Sequence, residues 1–212
     1  MKIQLVDRNK EMCDQWRIYF KGCSDVVIHE GDFFDLPTDC VVSPANSFGF
    51  MDGGLDAAIT HKLGRGVQNR IQTNLRNGMY PMGELLVGQA MLVPSDIAEI
   101  PWCISAPTMR VPMILRGTPN VYLAAKAIFV MLKDPIVKGG YANIETVTIS
   151  GLGTGVGQVP YDVCAKQMRQ AYDDVWLGNY KQLPTWYQTQ KSHQELYTDT
   201  FRDLQFRKDE EI

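Results

Sequence analysis

The 212-residue sequence contains only three histidines, His29, His61 and His193, and none stands at metal-ligand spacing from another ligating residue. A zinc site is therefore not expected. The five cysteines, Cys13, Cys23, Cys40, Cys103 and Cys164, are odd in number and form no CxxC pair. That pattern predicts reduced thiols in a reducing compartment, packed as small apolar side chains. No stretch approaches the roughly 20 apolar residues of a membrane span. The opening decapeptide, MKIQLVDRNK, lacks the apolar run of a signal peptide. A soluble, cytoplasmic protein with no membrane partner is the expectation. Positive charge is not in excess either. Lys and Arg total 21 against 24 Asp and Glu, for a formal net charge of −3. Duplex nucleic acid and anionic membranes are poor partners for such a chain, and a bound phosphate must be held by backbone N–H groups rather than by many cations. No Walker A loop is present, and the GxGxxG spacing of dinucleotide folds is missed. Nicotinamide-dependent chemistry is thus a weak reading.

What remains has the composition of a globular domain. Hydrophobic residues make up 45% and charged residues 21%. KIQLVD alternates like a strand, and Asp7 or Asn9 is positioned to cap a helix through KEMCDQWRIYF. DVVIHEGD and the apolar DCVVSPA read as further strands, the second as a buried central one. LDAAITHKLG and VQNRIQTNLRNG read as helices closed by Gly64 and Gly78. LVGQAMLVP and WCISAP read as strands. GTPNVYLAAKAIFVMLKD is a helix with Thr118 as its N-cap and Pro119 at its first position. IETVTIS is a strand, and YDVCAKQMRQAYDDVWLG a helix ended by Gly178. Strands alternating with helices predict an α/β sandwich with a largely parallel sheet. Residues 179–212 are either a peripheral helical extension or a partly ordered tail.

Two loops carry the chemistry. SPANSFGFMDGGLDAAI, residues 43–59, crowds Asn46, Gly53, Gly54 and Asp56 where a buried strand ends. ISGLGTGVGQVPYD, residues 149–162, has glycines at 151, 153, 155 and 157 between a strand and a helix. Alternate glycines leave no Cβ to block a ligand, and successive N–H groups can form an anion-binding nest at a helix N-terminus. Loops that follow parallel strands meet at the carboxyl edge of a sheet. Two such loops suit the two phosphates of a diphosphate. A third loop, EGDFFD, offers Asp32, either as an acceptor for the exocyclic amine of adenine or as a plain turn cap. Asp56 either caps the helix that begins near Leu55 or positions a water. Met109 and Arg110, after ISAPT, are placed to reach the site from a neighbouring strand end, where Arg110 either meets a phosphate or is solvated. His29, Cys40 and Cys103 read as packing residues, and Trp176, Trp186 and Tyr187 as contacts of the C-terminal extension.

In their order along the chain, EGDFFDLPTDCVVSPANSFGFMDGGLDAAI and the later GLGTGVGQVP resemble the macro domain family of ADP-ribose binders and hydrolases. The resemblance covers residues 24–178 and implies a domain over 1–178. It implies a three-layer α/β/α sandwich around a mixed, largely parallel sheet. It further implies that Gly31, Asp32 and Phe33 form the adenine end, with Asp32 taking the amino group. Asn46 would bond the distal ribose. Gly53, Gly54 and Leu55 would lie on the diphosphate, followed by Asp56, Ala57, Ala58 and Ile59 at the helix start. Gly153, Thr154, Gly155, Val156 and Gly157 would make the second phosphate loop. Asn46 and Asp56 keep the ten-residue spacing of a catalytic pair in hydrolase members. The implied activity is hydrolysis of an ADP-ribose linkage, with neither cofactor nor metal. Alternatives are dephosphorylation of ADP-ribose 1″-phosphate, or a reader that binds without turnover. The sequence departs from the family pattern in three places. Ser43-Pro44-Ala45-Asn46 stands where hydrolases often read Asn-Ala-Ala-Asn. Asp52 replaces the first member of a Gly triplet. Val156 stands where many members carry an aromatic, a role open to Phe48 or Phe50.

Overall fold

The computed structural model describes residues 1–78, 83–134 and 142–204. Six strands form one sheet: β1 (Lys2–Asp7), β2 (Val26–Glu30), β3 (Cys40–Ser43), β4 (Met91–Pro94), β5 (Trp102–Ser105) and β6 (Thr146–Ile149). Their order across the sheet is β2-β1-β6-β3-β5-β4. All neighbours run parallel except β4, which pairs antiparallel with β5 at one edge. β3 and β5 are buried at every position, as the apolar runs CVVS and WCIS require of strands covered on both faces.

The helices are α1 (Lys10–Tyr19), α2 (Gly54–Leu63), α3 (Gly66–Arg76), α4 (Asn120–Lys133), α5 (Tyr161–Ala171) and α6 (Trp186–Glu195). Side chains alternate between the faces of a strand, and two cores result. Leu5, Val42, Ile104 and Ile149 pack with Met12 and Trp16 of α1, Ile128 and Phe129 of α4 and Met168 of α5. Val6, Val41 and Cys103 pack on the other face with Ile59 and Leu63 of α2 and Val67, Ile71 and Leu75 of α3. The spacing of four residues along α3 puts its three apolar side chains on one stripe. The architecture is the three-layer α/β/α sandwich that the sequence predicts. All five cysteines are free, and Cys13, Cys40, Cys103 and Cys164 are buried. Among the described residues no helix is long and apolar enough to cross a membrane.

Several local expectations resolve in favour of one residue. Asn9, not Asp7, caps α1: its side chain accepts from the N–H groups of Glu11 and Met12. Such a cap contributes about 1 kcal/mol. Asp7 supports it from outside by accepting from the Asn9 N–H. At α4 the cap position falls on Pro119 rather than Thr118, and Pro119 supplies no side-chain bond. Gln167 of α5 serves instead. Its Oε1 accepts from the Tyr122 N–H and its Nε2 donates to the Thr118 carbonyl, both at 2.9 Å. The strand expected over LVGQAMLVP begins only at Met91, because Gly88 turns the preceding residues with a φ of +96°. The last long helix widens after Ala171 into a π-turn over Tyr172–Trp176. There the Tyr172 hydroxyl and the Trp176 indole both donate to the Asp25 carboxylate at 2.5 Å. The extension contains α6, capped by Thr185, and residues 205–212 lie outside the described part.

Candidate functional site

The carboxyl ends of β1, β3, β5 and β6 converge on a cavity of about 570 Å³. This is the size and place at which open α/β sheets hold a small ligand. β3 and β5 continue side by side beyond their ends. Ala106 N–H donates to the Ser43 carbonyl, Thr108 N–H to Ala45, and Ser47 N–H to Arg110. The two loops therefore reach the cavity together, and Asn46 bridges to Met109.

The first loop is held by its own side chains. Asn46 Oδ1 accepts from the Phe48 and Phe50 N–H groups at 3.1 and 3.3 Å, and Nδ2 donates to the Phe50 carbonyl at 2.7 Å. One N–H of the Asn46 amide is left to donate elsewhere. Met51 is buried beneath the loop. Its N–H donates to Gln68 and its carbonyl accepts from the Thr60 hydroxyl. Gly54 then opens α2 with a φ of +54°, a left-handed conformation that only glycine adopts freely. No side chain caps α2. The N–H groups of Gly54, Leu55 and Asp56 have no partner among the described residues, while Ala57 N–H closes the first helical bond to Gly53. Gly53, Gly54, Leu55, Asp56 and Ala58 line the cavity. Ala57 does not, and Ile59 is fully buried in the core.

Asp56 is a first-turn residue of α2, not its cap, which falls on Gly53. Its Oδ1 accepts from the Ser43 hydroxyl at 2.5 Å. Burial pushes its carboxyl up to about 6. The Ser43 bond pulls the other way and the Asp52 charge adds to the rise. A carboxylate that titrates there is poised for proton exchange near neutral pH.

The second loop crosses the cavity from the β6 side. The Gly151 N–H is taken by Asp7 Oδ2 at 3.3 Å, and Thr154 bonds back to the Gly151 carbonyl. Gln158 and Val159 close the turn onto Gly155 and Gly153. The N–H groups of Gly155, Val156 and Gly157 are left with no partner among the described residues. Gly153, Thr154, Gly155, Val156 and Gly157 all line the cavity. Two sets of three free N–H groups thus border one cavity, an arrangement that suits an anion with two charged centres.

At the other end stand Gly31, Asp32 and Phe33. Asp32 Oδ1 accepts from the Phe34 N–H at 2.9 Å, so the turn-cap reading holds. Oδ2 pairs with Arg8. The Phe34 N–H, then Arg8, hold the Asp32 carboxyl below its ordinary range. A carboxylate oxygen can accept more than one hydrogen bond, so Asp32 retains capacity for an amine.

Asp7, read in the sequence as a cap candidate, and Met109, expected to reach the site from a strand end, line the cavity too. Arg8, just past β1, and Thr108 and Pro112, after β5, line it without having been singled out in the sequence. They carry no local motif, and only the strand order brings them there. Phe50 lines the cavity and Phe48 does not. Arg110 stands apart, forked onto Glu84 at 2.7 and 2.8 Å and lying over the Phe48 ring. His29 bonds Asp35, and Cys40 and Cys103 are core residues.

A family model described as a macro-like domain matches residues 30–180. An uncharacterized protein of Aquifex aeolicus is 28% identical over 144 residues, which cover 68% of this chain and 78% of its own. Among solved structures, the macrodomain of Mycobacterium tuberculosis DarG matches with a TM-score of 0.55 at 15% identity, over 68% of this chain and 87% of its own. Thermosipho africanus DarTG, solved in complex with ADP-ribose, matches with a TM-score of 0.54 at 16% identity, over 68% of this chain and 37% of its own.

Proposed function

The chain belongs to the macro-like domain family, and on that premise we propose that it binds ADP-ribose or an ADP-ribosyl group and hydrolyses the bond at the anomeric carbon of the distal ribose. One observation carries the reading. The residues that carry the free N–H groups at the start of α2, and Gly155, Val156 and Gly157, line a single cavity with a carboxylate at each end, Asp32 and Asp56. A diphosphate fits between the two sets of donors. The adenine amino group bonds Asp32, and the distal ribose lies against Asn46 and Asp56. The DarTG structure with ADP-ribose supports the ligand class by likeness of fold.

In this reading the six N–H groups bind the diphosphate without moving, since no side chain has to be displaced from them. Asn46 donates its remaining N–H to a ribose hydroxyl. Asp56 Oδ2, which has no partner among the described residues, accepts a hydrogen from a water beside the anomeric carbon. The water oxygen bonds that carbon, its proton passes to Asp56, and the bond to the carrier breaks with its electron pair going to the carrier atom, which leaves as the anion or takes a proton from solvent. Residues 1–178 form the ligand-binding unit, and the chain works in the cytoplasm without a cofactor.

Calorimetry with ADP-ribose, AMP, ADP and NAD tests binding, and release of ADP-ribose from mono-ADP-ribosylated substrates tests turnover. ADP-ribose binds most tightly and Asp56→Ala loses about 10²–10⁴-fold in turnover with affinity nearly kept. Equal affinity for AMP and ADP-ribose would refute the two-loop diphosphate site. Tight binding with no turnover would leave a reader in place of a hydrolase.

A further inference from the structure

Ser43 is the last residue of β3 and is fully buried. Its hydroxyl reaches from the middle of the sheet to the first turn of α2 and donates to Asp56 Oδ1 at 2.5 Å. That bond occupies one oxygen of the carboxylate. The other has no partner among the described residues, and Asp56 lines the cavity. We infer that Ser43 is a positioning residue: it fixes the Asp56 carboxylate in the one orientation that presents Oδ2 to the ligand. For its catalytic meaning this rests on the proposed reaction, but the pairing itself can be measured without turnover.

Strand register explains why the contact is rigid. Ser43 pairs with Ser105 in the parallel β3–β5 ladder, and both are fully buried. Ser105 Oγ has no partner in the described structure. Ser43, which faces α2, is therefore the hydroxyl that the carboxylate receives. No titratable group that faces Asp56 among the described residues favours its charge. The Asp52 carboxylate disfavours it from the loop, and the Cys103 thiol of β5 is itself pushed up by burial and by Asp56. Against them, the Ser43 hydroxyl is the group that favours the ionised form. Loss of a hydrogen bond to a charged group raises a carboxylate's proton affinity by about 10- to 100-fold.

The test is Ser43→Ala in the full chain, read by carbon-13 carboxyl titration of Asp56 and by the pH profile of ADP-ribose release. In wild type the Asp56 midpoint lies at about 6, so about nine-tenths of the molecules are ionised at pH 7. In Ser43→Ala it rises by about one unit and the ionised share at pH 7 falls to about half. The acidic limb of the rate profile moves up with it, KM for the ADP-ribosylated substrate stays within about twofold, and Ser43→Thr restores the wild-type midpoint. Should Ser43→Ala lose the fold, Ser43→Cys keeps the volume with a weak donor and gives the same comparison. A folded variant whose Asp56 midpoint equals that of wild type would overturn the inference and reduce the bond to a structural tie. A wild type that releases no ADP-ribose would overturn the hydrolase reading, and the carboxyl titration would still decide the role of Ser43.

Discussion

Replacing Gly155 by valine tests the phosphate reading of the second loop with little interference from the fold. A Cβ on Gly155 would meet no heavy atom within 4 Å, and its φ is not in the left-handed region. The substitution therefore leaves stability within about 0.5 kcal/mol of wild type. The added side chain has room on the open side of the loop, where the ligand belongs, and it crowds the N–H groups of Gly155 and Val156. Loss of one charge-assisted hydrogen bond costs about 1.5–3 kcal/mol, or about 10- to 150-fold in Kd. Gly157→Ala is the matching control with the opposite signature. Its Cβ would stand 2.5 Å from the Gly153 carbonyl oxygen and 2.9 Å from Leu115. Forced overpacking of that kind costs about 1–3 kcal/mol, or about 2–12 °C in Tm for a chain of this size. Thermal unfolding and ADP-ribose calorimetry on the two variants should separate cleanly. Gly155→Val loses affinity and keeps its Tm, and Gly157→Ala loses Tm. A Gly155→Val protein that melts and binds like wild type would refute the claim that the loop's free N–H groups hold a phosphate.

Asp32→Ala removes both the turn cap and the acceptor for the base, so calorimetry should show ADP-ribose affinity falling by about 10- to 150-fold in a folded protein. An unchanged Kd would mean that the base lies elsewhere. Asp56→Asn should stabilise the protein above pH 6 while abolishing turnover. The folded value of about 6 lies about two units above an ordinary aspartate. The native state thus keeps its proton where the unfolded chain has lost it, and the stability this carboxyl contributes is complete below about pH 4. It is lost as pH rises through 6, a loss of about 3 kcal/mol at most. Thermal melts from pH 4 to 8 should show a gap between variant and wild type that opens across that window, and a constant gap would contradict the buried carboxyl. Gln167→Ala strips α4 of its borrowed cap and leaves two half-buried backbone groups unpaired, at a cost of about 1–3 kcal/mol by urea denaturation. A loss below 0.5 kcal/mol would mean that water replaces the amide.

The layers of the fold were legible because strands and helices alternate and β3 and β5 are continuous apolar runs. The two glycine loops were legible because each follows a strand and opens onto a helix. Much of the rest depends on distance in space. Asp7 ends β1 and Arg8 follows it, and β1 is separated from β3 only by β6, a neighbour joined late in the chain. Thr108 reaches the cavity because β5 keeps bonding to β3 past its end, the continuation that also carries Met109, expected there from its place after ISAPT. Neither fact leaves a trace in local spacing. Arg110 looked free to meet a phosphate because its partner, Glu84, lies 26 residues away. Asp56 carried two local readings; it stands in the first turn of α2 and not at its cap, and its bond to Ser43 forms only once β3 and α2 are stacked. Thr118 makes only a long bond to the Asn120 N–H, and a glutamine 49 residues later closes the start of α4.

The three bonds of Asn46 to residues 48–50 bear on how fast and at what entropic cost a ligand is taken up. Fixing the backbone of one residue costs about 1–2 kcal/mol in lost freedom. For this loop that cost falls on folding of the chain and not on binding, because one amide has already set the turn between Asn46 and Phe50. A partner that meets the cavity finds its walls in place, so association should run at an encounter-limited rate with no slow ordering phase. The same economy narrows the choice of guests, because a loop knotted by its own side chain does not reshape itself around a poorly fitting one.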